Sequence, residues 1–312
     1  MSVISVPPEI ADLVGEVPGA DIVTWDMQAP APREDIEVMV VPPWNSPRVR
    51  ELADHPKLRG VVLSSAGYDH MVRFLPPGVT LSNAVGVHDT ATAELALALA
   101  LAAQRDLPTF VRAQADRTWL PQAVNRSLAD ARVLLLGYGG VGRTITRRML
   151  ACEAPVTAVA SRARAGDDLV DVVHGIEELD ALLPEADVLV LALPLSDRTR
   201  GLLDGRRLGL LPDDALVLNV GRGPLVDTDA LVAECSAGRL RAALDVTDPE
   251  PLPEDHPLWS LPNVLISPHR GGASTAFPAR HAAYVRGLIE RYVETGRLDN
   301  VVAVGPGEGD GQ

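Results

Sequence analysis

Short apolar runs recur along the chain, bounded by polar, Gly or Pro positions. In the first third these are VISV (3–6), ADIVTW (20–25), IEVMVV (36–41), LRGVVLSS (58–65) and VTLSNA (79–84), with helix-like or loop segments between them. Their length and β-branched content predict strands, and the alternation with helix-like segments predicts an α/β fold. TATAELALALALAAQRDL (90–107) is Ala/Leu/Glu-rich, strongly apolar and free of Gly and Pro, which predicts a largely buried helix, read as a bridge between two domains. A second series follows: ARVLLLG (131–137), VTAVAS (156–161), DVLVLALP (187–194), ALVLNVG (215–221), AALDV (242–246) and VLISP (264–268). These runs are largely continuous rather than alternating, as in parallel strands covered on both faces, so they predict one parallel sheet.

Length and composition narrow the classes. With 312 residues the chain has room for two domains, and 46% hydrophobic with 22% charged residues is ordinary for a globular protein. The net charge of −14 speaks against a general nucleic-acid or anionic-membrane binder and makes local basic spots stand out. No secretory-type segment or membrane-length apolar run is present, so a cytoplasmic protein is expected. Cys152 and Cys235 are too few for a disulfide framework and lack metal-ligand spacing, so no metal is expected. The Gly-rich, acidic tail from Pro306 to Gln312 has nothing to bury and is expected to be disordered.

Directly after VLLL comes GYGGVG, which sets Gly137, Gly139 and Gly142 in the G-x-G-x-x-G pattern, with Gly140 and Val141 between them and helix-like RTITRRML behind. A strand, a glycine turn and a helix N-terminus in that order suit a dinucleotide pyrophosphate. About 20 residues beyond such a loop, an acidic residue accepts from the ribose 2′-OH of NAD, whereas an arginine nearby accommodates the 2′-phosphate of NADP. Here the position carries Ser161, followed by Arg162 and Arg164, in AVASRARAG. A hydroxyl and two guanidiniums suit a phosphate, so NADP is the expected cofactor, with NAD possible.

Three later stretches carry groups that a carbonyl reduction would use. Arg222 lies between glycines just past a predicted strand end in LNVGRGPLVD, Asp245 ends a strand and Glu250 follows in a Pro-rich loop in ALDVTDPEPL, and His269 follows a strand and a proline in LISPHRGGAS. Alone, each also fits a turn arginine, an acidic loop or a structural histidine. Together they follow the strand-end rule for ligand sites in open α/β sheets.

From about residue 58 to 276 the sequence resembles the D-isomer-specific 2-hydroxyacid dehydrogenases, in SSAGYDHM, LSNAVGVHDTATAE, GYGGVG, LALPLSDRT, NVGRGPLVD, ALDVTDPEPLPEDHPLW and SPHRGGAS. The resemblance implies two lobes, a Rossmann dinucleotide-binding domain (93–276) and a discontinuous flavodoxin-like substrate domain (1–92 and 277–312), with the site in the cleft between them and a homodimer built on the nucleotide lobes. It makes His269 the general acid/base, Glu250 its carboxylate partner and Arg222 the substrate-orienting arginine. It gives Asp245 a contact to the nicotinamide carboxamide and puts Pro194, Thr199 and Val220 in the cofactor-binding stretches. The backbone at Ala66 and Gly67 would hold the substrate carboxylate. The expected reaction is hydride transfer from NADPH to a small 2-keto acid of the glyoxylate or hydroxypyruvate type, giving the D-2-hydroxy acid. NAD-dependent oxidation of the phosphoglycerate dehydrogenase kind, and a non-catalytic dinucleotide-sensing corepressor or scaffold, are the alternatives. Thr247 stands where the motif often has Phe, and Arg270 after the histidine is either an ion-pairing residue or an extra anion contact. His70 and His88 lie near the substrate-lobe motifs, with structural or surface roles expected.

Overall fold

A computed structural model describes residues 1–43 and 46–306. The chain divides into two compact units, Met1–His88 joined by Ala273 onward, and Asp89–Gly272. The divisions fall a few residues before those expected at 92 and 276. The predicted bridging helix spans Asp89–Gln104 and lies wholly in the second unit, where it buries Ala93, Ala96, Leu99 and Ala100. Of the tail expected to be disordered, all but Pro306 lies outside the described residues.

In the first unit, β1 (Ser2–Val6), β2 (Ala20–Thr24), β3 (Val38–Val40), β4 (Gly60–Val62) and β5 (Thr80–Ser82) form a parallel sheet, with Ile4 opposite both Ile22 and Val38 and Val61 opposite Leu81. In the second unit the strands are β6 (Val133–Leu136), β7 (Val156–Ala160), β8 (Arg164–Ala165), β9 (Val172–Gly175), β10 (Val188–Leu191), β11 (Leu216–Asn219), β12 (Arg241–Leu244) and β13 (Val264–Ile266). They run in the order β13-β12-β11-β10-β6-β7-β9-β8, all parallel except the terminal β8–β9 hairpin. β6, β10 and β11 are buried along their whole length, which is why VLLL, VLVL and LVLN read as continuous apolar runs. β8 and β9 were not anticipated: they hold too few apolar residues to stand out.

The chain then returns to the first unit. Helix Phe277–Thr295 sets Val285, Leu288, Ile289 and Tyr292 against Ile4, Val6, Ile10 and Val14, each large aliphatic side chain contributing about 1.5–3 kcal/mol on full burial. Its last strand, β14 (Val301–Val304), pairs antiparallel with β5 and completes the order β14-β5-β4-β3-β1-β2. No helix among the described residues is long and apolar enough to cross a membrane.

Candidate active site

The loops that follow β6, β7, β10, β11, β12 and β13 all leave the carboxyl edge of one parallel sheet, so Gly137, Ser161, Pro194, Val220, Asp245 and His269 come to the same edge of the second unit.

Gly137 has φ +104°, and a Cβ on it would lie 2.6 Å from the Ala192 carbonyl oxygen. On Gly142 a Cβ would fall 1.9 Å from the Gly137 carbonyl oxygen, so this glycine lets helix Gly140–Ala151 pack close to β6. At Gly139 it would meet nothing within 4 Å. The protein's own packing therefore requires the first and third glycines but not the second, which matches a loop whose middle glycine admits the pyrophosphate to the backbone. The exposed Gly140 begins the helix, its N-cap is Gly139, which has no side chain, and a Cβ on Gly140 would run into the Asp89 carboxylate. Val141 is half-buried in the first turn. Residues present thus fit a dinucleotide.

Past β7, Ser161, Arg162 and Arg164 are exposed. Arg164 is anchored, its Nη2 donating to the Tyr138 carbonyl at 2.9 Å, while Arg162 makes no side-chain hydrogen bond or ion pair among the described residues. After β10, the Thr199 hydroxyl donates to the Pro194 carbonyl at 2.9 Å and accepts from Ser196 N–H at 2.8 Å, closing that loop. Val220 is buried, its N–H bonded to Leu191 O at 3.1 Å.

The Arg222 turn is built by Asn219, buried at the end of β11, whose Nδ2 donates to Arg222 O at 2.9 Å and whose Oδ1 accepts from Gly221 N–H at 3.0 Å. A Cβ on Gly223 would lie 1.8 Å from Thr247 O, so the turn presses against the loop that carries Glu250. In that loop the Thr247 hydroxyl donates to Pro249 O at 2.9 Å, a bond that a phenylalanine there would lack.

Asp245 is buried and bonded within the protein: Oδ1 accepts from Ser267 Oγ at 2.9 Å and Arg270 N–H at 2.7 Å, and Oδ2 from Gly271 N–H at 2.8 Å. With its carbonyl accepting from His269 N–H at 2.8 Å, this aspartate wraps the whole 267–271 loop around itself. That organising role escaped the sequence reading, although an aspartate at the end of a buried strand, facing a Ser-rich and Gly-rich loop, was the available signal. His269 is held at φ +52°, a region unusual for a non-glycine residue. Its Nδ1 meets Glu250 Oε1, and about half of the imidazole remains exposed. The hydrogen bond to Glu250 raises the His269 pKa above its ordinary value, against partial burial and the nearby Arg222 charge, which both lower it. Arg222, Glu250 and His269 are thus close enough to act on one another. The Arg270 side chain is exposed and forms no ion pair among the described residues.

Ala66 and Gly67 belong to the first unit, after β4. Their carbonyls accept from Asn83 Nδ2 at 2.7 Å and Ser65 Oγ at 2.7 Å, and their N–H groups have no partner among the described residues. His88 is structural, bonded to Ser64 O at 2.7 Å and stacked on Phe277, and His70 is exposed.

Comparison with known proteins decides the family. Residues 97–271 match the family described as D-isomer specific 2-hydroxyacid dehydrogenase, NAD binding domain. The chain belongs to the D-isomer-specific 2-hydroxyacid dehydrogenases. It is similar to a glyoxylate reductase of Aeropyrum pernix, 32% identical over 86% of this chain and 84% of that one. Among solved structures, a dehydrogenase of this family from Xanthobacter autotrophicus, in complex with NADPH and MES, is 30% identical with a TM-score of 0.81, covering 97% of this chain and 98% of that one. An NADPH-dependent glyoxylate/hydroxypyruvate reductase from Sinorhizobium meliloti, in complex with NADP and sulfate, is 27% identical with a TM-score of 0.80, covering 96% and 98%. The family assignment makes the chain a 2-hydroxyacid dehydrogenase, an oxidoreductase with a Rossmann nucleotide domain.

Proposed function

We propose that this dehydrogenase reduces a small 2-keto acid of the glyoxylate or hydroxypyruvate type to its D-2-hydroxy acid, with NADPH preferred over NADH. The observation that carries the reading is the His269–Glu250 pair, with Arg222 near it, on the same sheet edge as an open glycine loop. When bound, the nicotinamide supplies the hydride. Protonated His269 gives its Nε2 proton to the keto oxygen, and Glu250 on Nδ1 favours the imidazolium that can do so. Arg222 attracts the substrate carboxylate and stabilises negative charge developing on the oxygen. Asp245 keeps the histidine loop in place, and the N–H groups of Ala66 and Gly67 are assigned to the substrate carboxylate. Ser161 and the exposed Arg162 are assigned to the 2′-phosphate; the relatives whose structures hold NADPH and NADP support that choice.

A homodimer is also proposed. Phe110, Val111, Trp119 and Val124 are 41%, 66%, 98% and 102% exposed within one short stretch, a concentration of apolar surface that suits a second copy. Light scattering at micromolar protein tests it, and a monomer would contradict it.

The decisive test is turnover of purified protein with NADPH and with NADH against a panel of 2-keto acids, phosphorylated and not. Preference for glyoxylate or hydroxypyruvate with NADPH supports the reading. A phosphorylated acid preferred with NADH would move it to the phosphoglycerate type, and negligible turnover throughout would favour a non-catalytic sensor. A charge-assisted hydrogen bond is worth about 1.5–3 kcal/mol, so Arg162→Ala should weaken NADPH roughly ten- to a hundredfold with little change for NADH. Equal losses for both cofactors would overturn the phosphate assignment.

A further inference from the structure

One side-chain network lies behind the Ser161–Arg164 stretch. Tyr138, between the first two glycines of the loop, is buried, and its hydroxyl donates to Asp167 Oδ1 at 2.9 Å. The same oxygen accepts from Leu169 N–H at 2.9 Å. Asp167 Oδ2 pairs with Arg143 Nε at 3.1 Å, and Arg143 Nη2 donates to Asp168 Oδ1 at 2.7 Å. Since Arg164 donates to the Tyr138 carbonyl and sits 5.9 Å from that ring's centroid, the glycine loop and the β8 hairpin are tied together twice through one residue. The turn between β8 and β9 is tight: Gly166 N–H donates to Asp171 O at 3.0 Å, and a Cβ on Gly166 would lie 1.8 Å from Val170 O.

The charges in this hairpin pose a problem for a phosphate. Arg162 and Arg164 are followed closely by Asp167, Asp168 and Asp171, so without help the local balance is negative. Arg143, the fourth residue of helix Gly140–Ala151, comes from outside the hairpin and engages two of those carboxylates. We propose that Arg143 is a positioning residue for cofactor choice: its ion pairs with Asp167 and Asp168 cancel carboxylate charge that would repel the 2′-phosphate. This deepens the NADPH reading and rests on it. Arg143 acts through the aspartates rather than by touching the cofactor. The sequence gives no hint of this role, because an arginine behind the glycine loop looks like any exposed helix residue.

The test is the ratio of NADPH to NADH affinity, from dissociation constants measured at one fixed ionic strength. Arg143→Gln should lower the ratio about tenfold, roughly the scale of one to two unit charges left uncompensated near a phosphate in a solvent-like dielectric. Adding Asp167→Asn and Asp168→Asn to that variant should restore it, because the carboxylates are then gone. An unchanged ratio in Arg143→Gln overturns the proposal, and so does a lowered ratio that the added substitutions fail to restore. If Arg143→Gln does not fold, Asp167→Asn with Asp168→Asn in the otherwise unaltered protein should raise the ratio, and a ratio that does not rise overturns the proposal. A wild type that binds NADH more tightly overturns the NADPH reading itself, and this is seen on the unmutated protein, separately from every variant.

Discussion

His269 stands at the end of β13 with about half its side chain exposed and a carboxylate on Nδ1, whereas His281 lies inside the first unit, 0% exposed, with neither ring nitrogen hydrogen-bonded. The environments push the two imidazoles in opposite directions. Glu250 raises the pKa of His269, and burial drives that of His281 down to about 4, with His88 adding repulsion. His281 is held by stacking instead: its ring lies 5.0 Å from Phe277, which also stacks on His88 at 4.8 Å. Residue type alone therefore says little about chemistry; a partner that stabilises charge makes an acid, and a dry stack makes a piece of core.

The largest effect that separates them is catalytic. His269→Ala should lower turnover roughly 10²- to 10⁴-fold, the usual contribution of a positioned proton donor, while NADPH still binds. His281→Leu should leave turnover per folded molecule near wild type. Comparable turnover losses in the two variants would break the contrast.

Next comes stability. The fold keeps His281 neutral, so between pH 6.5 and about 4 the unfolded chain takes up a proton that the folded chain refuses. Its contribution is complete above pH 6.5 and is lost as pH falls, by up to ~3 kcal/mol near pH 4. Denaturant melts at several pH values should show that slope in the wild type and a shallower one in His281→Leu; identical slopes would remove His281 from the account. Smaller still, Phe277→Leu should cost about 0.5–1.5 kcal/mol from lost ring contacts, with no change in the His269 pH profile.

Much of this was legible in the chain. Runs such as VLLL and VLVL announce buried parallel strands because both faces are covered, and the order of strand, GYGGVG and helix announces a nucleotide loop. His269, Glu250 and Arg222 were legible as a set because each follows a strand of the same sheet. What was hidden depends on distant partners. The β8–β9 hairpin is held by Tyr138 and Arg143 rather than by its own apolar residues, and helix Leu107–Ala115 follows Asp106 at φ +55° with Pro108 in its first turn, where the sequence showed only the fading end of a longer helix. Asp245 has a role beyond the cofactor contact expected of it: its carboxylate oxygens are bonded to the loop that carries His269, a fact that only the folded loop reveals.

Glu250, on Nδ1, is proposed to keep His269 protonated so that Nε2 can give its proton to the keto oxygen. This role is tested most directly by the pH dependence of kcat/KM for 2-keto acid reduction in wild type and in Glu250→Gln. The wild-type rate should fall as pH rises through a midpoint above the ordinary histidine value near 6.5, and that midpoint should move down when the carboxylate becomes an amide. A midpoint that stays in place in Glu250→Gln would contradict the account.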